Sequence, residues 1–411
     1  MPGTWNKYLQ IVFVSLASCF LLNSQQKPDL DKTRHVHEDM QMPNSSQKDV
    51  VTHIQNVHRH QRNNLSGSIE NEYEQDEVGE TNLIKNGIFW NDFAESFVPK
   101  GLSYTNSIKL VEYFRDQPVK SIKSANGKAC GDGIVELVDG TRMCVRHDDK
   151  LFKVYAEALA FYLSRLLRLD NVPEVFLAAI NGSSTRWNGL ELNALTWKEN
   201  DIVAVIKWIA NASLETFIPP IIRAAYATGE PVTNAVIHDT KYLSGNTAAI
   251  SELVQWGSLI VFDNLIGHYD RLVLYQTFGK RGLSRRSLAS SLYNSLKSQN
   301  SKIWLIDNES AFFYQYKSRD PTYNHFQLIK LHDKMLKTMC IFQSSLVNEL
   351  RKLSEHPSAF KRLWGYASSF EPLFDSFQKD YRFDVFARLF DTRLNQIIEW
   401  IDHCQNIRSE S

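Results

Sequence analysis

From Asn82 onward the spacing of apolar residues changes along the chain from a two-residue to a three- and four-residue period. Asn82-Leu83-Ile84 and Gly87-Ile88-Phe89-Trp90 open the folded sequence. Residues 129–146 then alternate around Val135-Glu136-Leu137-Val138-Asp139-Gly140-Thr141, and an Asp-Gly pair between such arms predicts a β-hairpin. From Leu151 the pattern becomes helical, with Val154, Tyr155, Ala158, Leu159, Tyr162, Leu163 and Leu166 at spacings of three and four, and Asn171-Val172-Pro173 ends it. Val175–Ile180 and Ile202–Ile206 predict a further strand pair. Beyond Asn211 the pattern predicts helices over Leu214–Ala227, Ser251–Gly267, His325–Leu353 and Asp384–Cys404.

The N-terminal part reads differently. Lys7 precedes an apolar run, Tyr8–Leu22, whose 15 residues are short for a membrane span and suit the apolar core of a secretory signal or signal anchor. Residues 26 to 82 are polar and poor in large apolar side chains, so they cannot offset the entropy of ordering and predict a disordered stem. The expected layout is a signal or type II anchor (1–25), a stem (26–82), a strand-rich lobe (83–210) and a mostly helical lobe (211–405). This is an α+β chain with the outline of a two-lobed, kinase-like fold.

Composition narrows the setting. The 46 basic and 46 acidic residues balance, so no global field favours nucleic acid or an acidic membrane surface; the membrane is expected only through the N-terminal segment. Beyond Cys19 there are four cysteines, Cys130, Cys144, Cys340 and Cys404, compatible with two bridges in an oxidising lumen or with four buried thiols. Of the three possible pairings, the hairpin turn favours Cys130–Cys144, because it brings those two together across strands, and hence Cys340–Cys404. Sequons at Asn44, Asn64, Asn181, Asn211 and Asn308 fit a secreted chain, with no glycan expected at Asn308 inside an acidic cluster.

Two acidic clusters end apolar runs in the second half. One is Leu259-Ile260-Val261-Phe262-Asp263-Asn264-Leu265-Ile266-Gly267-His268-Tyr269-Asp270-Arg271; the other is Ile303-Trp304-Leu305-Ile306-Asp307-Asn308-Glu309. Apolar runs bury their elements, so the charges at their ends are held rigidly. A His-x-Asp followed by an apolar run and a second Asp is the order in which kinase-like folds place a catalytic and a metal-binding carboxylate, although 37 residues separate Asp270 from Asp307 here. Phosphoryl transfer needs a carboxylate for the attacking hydroxyl, carboxylates on a metal, and a cation for the phosphates. Asp270, with Arg271 beside it to keep it ionised, fits the first. Asp307 with Asn308 and Glu309 fits the second, and Arg146 paired with Glu157 fits the third. The bland readings are a helix cap or surface pair at Asp270–Arg271, a turn at Asp307, a structural ion pair at Glu157 and a packed brace at His268. The basic run Gly279–Leu288 reads as a solvated loop.

Gly140-Thr141-Arg142-Met143-Cys144-Val145-Arg146, the Glu157–Leu167 helix, Leu253-Val254-Gln255-Trp256, Val261-Phe262-Asp263, Asp270-Arg271 and Leu305-Ile306-Asp307-Asn308-Glu309 together resemble the Four-jointed family of secretory-pathway kinases. Phe89-Trp90 and His403-Cys404 extend the likeness to most of residues 85–405. The resemblance implies a type II Golgi or secreted Ser/Thr kinase using ATP with Mn²⁺ or Mg²⁺ on cadherin repeats of Fat and Dachsous proteins, thereby tuning planar polarity and growth. It implies Asp270 as catalytic aspartate, Asp307 as metal ligand with Asn308 and Glu309 beside it, Glu157 as the helix partner, and Ile206-Lys207-Trp208 at the lobe hinge against the base. Three departures stand out. Arg146 replaces the usual lysine, Tyr275 sits where a kinase has asparagine (with Gln276 next), and only Gly131-Asp132-Gly133 resembles a glycine-rich loop. A secreted or Golgi pseudokinase that binds partners without phosphotransfer is the alternative. A Golgi glycosyltransferase is a third class, but its Asp-x-Asp is matched only by Asp29-Leu30-Asp31 in the stem.

Overall fold

The computed structural model describes residues 82–125, 130–190, 197–239, 243, 245–273, 292, 294–314, 325–377 and 381–407. Two short strands, β1 (Ile84–Lys85) and β2 (Phe89–Trp90), lead into helices α1 (Asp92–Ser96) and α2 (Tyr104–Asp116). Next come β3 (Val119–Ser124), β4 (Gly133–Leu137) and β5 (Arg142–His147), then helix α3 (Phe152–Leu166), β6 (Val175–Ala179) and β7 (Ile202–Lys207). The last five strands form one antiparallel sheet in the order β3-β4-β5-β7-β6. The hairpin lies where the Asp-Gly signal places it: the Asp139 carboxylate accepts from the Thr141 amide, and Gly140 takes φ +85°.

Helix α3 is buried at every position except Lys153 and Leu166. It packs against β6 and β7. Asp148 accepts from the Lys153 amide and so closes one of its free N–H groups.

The second half is helical. It comprises β8 (Ala212–Ser213), α4 (Pro220–Thr228), α5 (Asn234–Asp239), α6 (Thr247–Ile266), β9 (Ser295–Ser298), β10 (Ile303–Leu305), α7 (His325–Leu336), α8 (Ser344–Ser354), α9 (Ala359–Ser368) and α10 (Tyr381–Ile407). Helix α6 is its central post, capped by Asn246 on the Ala249 amide and stopped by Gly267 in the left-handed region. Strands β10-β9-β8 form a small antiparallel sheet. A strand-rich half followed by this helical half gives the expected α+β, two-lobed kinase-like arrangement.

Two helices expected from the sequence differ. The one expected over 214–227 begins only at Pro220, because a residue preceding proline is pushed out of the helical region, whereas proline itself suits the first turn. The run 325–353 is two helices. Between them, residues 338–342 spend their backbone groups elsewhere: Thr338 O accepts from Val232, Cys340 N donates to Val232, Phe342 N donates to Ile88 and Phe342 O accepts from Trp90. Cys340 then bridges to Cys404 on α10, and Cys130 bridges to Cys144, as the hairpin argument favours.

One buried side chain pins the site's parts together. Arg271, in the turn after α6, is fully buried. Its Nη1 donates to Asp263 of α6, its Nε to Asn294 O at 2.8 Å, and its Nη2 to Ile306 O at 2.8 Å and Asn308 Oδ1 at 2.9 Å. Burial pushes the Asp263 carboxyl upward and the guanidinium draws it back. Removing one partner of a buried pair leaves an uncompensated charge, so Arg271→Ala should cost about 3–5 kcal/mol. Denaturant unfolding reads this as a lowered midpoint; a loss under about 1 kcal/mol, the value of a surface pair, would show that the pin is dispensable.

Candidate active site

Strand β5 presents Cys144 and Arg146 on one face, two residues apart. Arg146 is nearly buried and meets three carboxylates: it pairs with Asp307, lies 3.0 Å from Glu309 and has its Nε 4.0 Å from Glu157. Gly131 covers it. A Cβ at Gly131 would come within 2.5 Å of Arg146 Nη1, and the residue has φ +62°, so both close approach and backbone shape require glycine there. Asp132 continues this cover, its amide donating to Val145 O and its carboxylate accepting from the His147 amide. Glu157 is wholly buried, and desolvation raises its carboxyl while Arg146 opposes the rise.

Asp307 follows β10 in the left-handed conformation, φ 59° and ψ 50°. That turn sends Asp307 and Glu309 towards Arg146, while Asn308 is completely buried, its amide shared between Arg271 and Leu305 O. Asn308 therefore braces the floor of the cleft and does not face it. His268 Nε2 donates to Asp307 O at 3.0 Å, since a carbonyl oxygen only accepts, and burial holds the imidazole well below its ordinary value, so the ring is neutral. His268 is a backbone brace.

Asp270 lies in the wide helical turn Tyr269–Val273. Its carboxyl is raised by burial, and Asn294 Nδ2 donates to it at 3.2 Å. Arg271 turns its guanidinium inward to Asp263 and Asn308, and its charge still favours the ionised Asp270, though burial outweighs it.

Asn294 is the residue the sequence reading missed. Its carbonyl accepts from Arg271 Nε and from the Ile306 amide at 3.2 Å, which fixes it beside the residue preceding Asp307. Because a carboxylate only accepts, the amide nitrogen faces Asp270, which leaves the amide oxygen as an acceptor for another group. Counting five residues on from Asp270 gives Tyr275, which with Gln276 lies outside the described residues, as does Gly279–Leu288. Counting back from Asp307 would have found Asn294, as Asn-Ser-Leu leading into a strand.

A cavity of about 320 Å³ opens beside these groups. Its walls include the Cys130–Cys144 bridge, Ile206, Trp208, Leu214 and Leu296, and Arg146 and Asp307 also line it. Cys144 pairs directly with Ile206 across β5 and β7. An apolar slot with charged groups suits a flat base carrying an anionic tail. Lys207 lines the slot with its stem, while its ammonium is held 3.1 Å from Glu174. Among the described residues no group of three or more His, Cys, Asp or Glu side chains stands ready to hold a metal unaided. Two carboxylates that leave further positions to phosphate oxygens are what Mg²⁺-type ions use, and Asp307 and Glu309 fit that demand. Of the sequons, Asn211 is exposed in a left-handed turn, Asn181 accepts from the Ser183 amide and hydroxyl, and Asn44 and Asn64 lie outside the described residues.

Comparison with known proteins now bears on this geometry. The family model described as "Four-jointed box protein middle domain" matches residues 105–407. Four-jointed box protein 1 of Xiphophorus maculatus is 26% identical over 324 residues, 78% of this chain and 72% of that one. The extracellular serine/threonine protein kinase four-jointed of Drosophila melanogaster is 23% identical over 372 residues, covering 78% of this chain and 60% of its own. A Golgi casein kinase solved with Mn and ADP bound shares 12% identity and a TM-score of 0.45, over 90% of this chain and 93% of that one. With its model matched over most of the folded region, the chain belongs to the Four-jointed box family.

Proposed function

We propose that this protein is a luminal or secreted Ser/Thr protein kinase that uses ATP with Mn²⁺ or Mg²⁺ and acts on extracellular cadherin repeats of the Fat/Dachsous kind. Its N-terminal segment would place it in the Golgi lumen or release it. The observation that supports this best is the meeting of Asp270–Asn294, Asp307–Glu309 and Arg146–Glu157 around one cleft end, with Arg271 fastening the parts from behind.

In this reading each residue has a bounded task. Asp270 accepts and orients the substrate hydroxyl proton; its partly buried carboxyl sits nearer the working pH than a solvated one and is a better base for that. Asp307, Glu309 and the Asn294 amide oxygen hold the divalent ion, which when bound neutralises charge on the phosphate oxygens. Arg146 grips phosphate with a planar fork, and Glu157 keeps it on the cleft side of the sheet. Trp208 and the Cys130–Cys144 bridge flank the base. The alternative is a nucleotide-binding partner protein without transfer. Its support is Arg146, which substitutes for a lysine and occupies Asp307 itself, so ligand must compete for that carboxylate.

With labelled ATP, Mn²⁺ and a cadherin-repeat fragment, wild type should incorporate phosphate, and Asp270→Ala should lower the rate by roughly 10²–10⁴-fold. Incorporation equal to wild type in Asp270→Ala would sink the assignment, and wild-type inactivity with ATP still raising Tm would favour the partner protein.

Asn294→Ala should raise the Mn²⁺ needed for half-maximal rate by roughly 10–100-fold, the range seen when metal-site partners are removed. An unchanged metal dependence would return that ligand to the residues after Asp270.

The acid limb of kcat/KM should lie above the ordinary carboxylate range. Burial raises the Asp270 carboxyl, so protonation removes the base at a higher pH than for a solvated aspartate. A limb at the ordinary value would show that another group limits the rate.

A further inference from the structure

Helix α3 surfaces at only two positions, and one of them, Lys153, does so beside the phosphate end of the cleft. Residues 153 and 157 are one turn apart on the same helical face, so Lys153 shares the orientation that brings Glu157 to Arg146. Its Nζ lies 3.3 Å from Glu309 Oε2, and the same oxygen lies 3.0 Å from Arg146 Nη1. Two cations thus converge on one carboxylate oxygen. Their accessibility differs: the Arg146 side chain is 10% exposed and that of Lys153 is 33% exposed. Arg146 lies deep and Lys153 stands at the rim.

Without ligand the two cations are held by carboxylates, Glu309 shared between them and Asp307 and Glu157 on Arg146. Asp307 and Glu309 are also the carboxylates that would hold a divalent ion in the kinase reading, and an ion that took them would leave both cations to phosphate. The two side chains suit two different phosphates. Arginine's rigid fork fits an inner phosphate in a fixed place, and lysine's compact ammonium on a flexible stem follows an outer one. A monophosphate cannot reach both.

We infer that Lys153 is a second phosphate-binding cation, which with Arg146 makes the cleft select nucleoside di- and triphosphates over monophosphates. This rests on the kinase reading above.

The test uses the full-length protein and measures dissociation constants for ATP, ADP and AMP with Mn²⁺ by titration calorimetry. Lys153→Gln should weaken ATP and ADP about tenfold, in keeping with one charge-assisted hydrogen bond, and leave AMP unchanged. Lys153→Arg should restore most of the loss. An unchanged ATP-to-AMP ratio in Lys153→Gln, or an equal loss for all three ligands, would overturn the inference and reduce Lys153 to a structural partner of Glu309. Wild type that binds no nucleotide would overturn the kinase reading itself, a result distinct from an unaltered ratio in a wild type that binds ATP.

Discussion

A single guanidinium, removed entirely from water, holds the candidate site in register. Arg271 fastens three separate stretches: Asp263 in the last turn of α6, Asn294 at the start of β9, and Ile306 with the floor residue Asn308 after β10. Arginine suits this place because it stays charged when buried and presents five donors in one plane; lysine offers neither the fork nor the reach to four acceptors. Asp270 and Asp307 are positioned by what Arg271 fastens. The separation of these aspartates in sequence thereby becomes immaterial: with both ends of the intervening segment tied to one side chain, its length can grow without moving either carboxylate.

Around that anchor the fold places rigid apolar elements behind every charged group. Helix α3 carries Glu157 on an almost wholly buried surface, β5 carries Arg146 within a five-stranded sheet, and β10 delivers Asp307 through a left-handed turn braced by neutral His268. The charges pair within the cluster, Arg146 spanning Asp307, Glu309 and Glu157. Such a network holds its own partners in place, and any anion that entered it would have to exchange with them.

Much of this was legible in the sequence because local physics decided it. The Asp139-Gly140 hairpin, the α3 periodicity and the Cys130–Cys144 pairing followed from spacing and turn chemistry. What was not legible depended on partners elsewhere. Residues 338–342 leave the helical pattern because the backbones of Ile88, Trp90 and Val232 claim their backbone groups. Arg271 spends its donors on Asp263 and Asn308, which its place in the sequence beside Asp270 does not reveal. Asn294 was hidden by counting forward across an expanded segment, when the chain keeps its spacing from the strand behind Asp307. Asn308, read as a ligand beside two acids, serves the floor instead.

The Cys130–Cys144 bridge has a double character, since it ties the hairpin and also forms part of the slot wall. Its sulfurs give a soft, polarizable surface against which a flat ring can lie. One wall of the cavity is therefore a bond that the genetic message does not specify on its own: redox chemistry of the compartment makes it after synthesis. Two free thiols would need more room than one bridge and would leave the strand ends untied. The binding slot is in this sense finished by the environment, and a chain folded under reducing conditions would carry the right residues around the wrong shape.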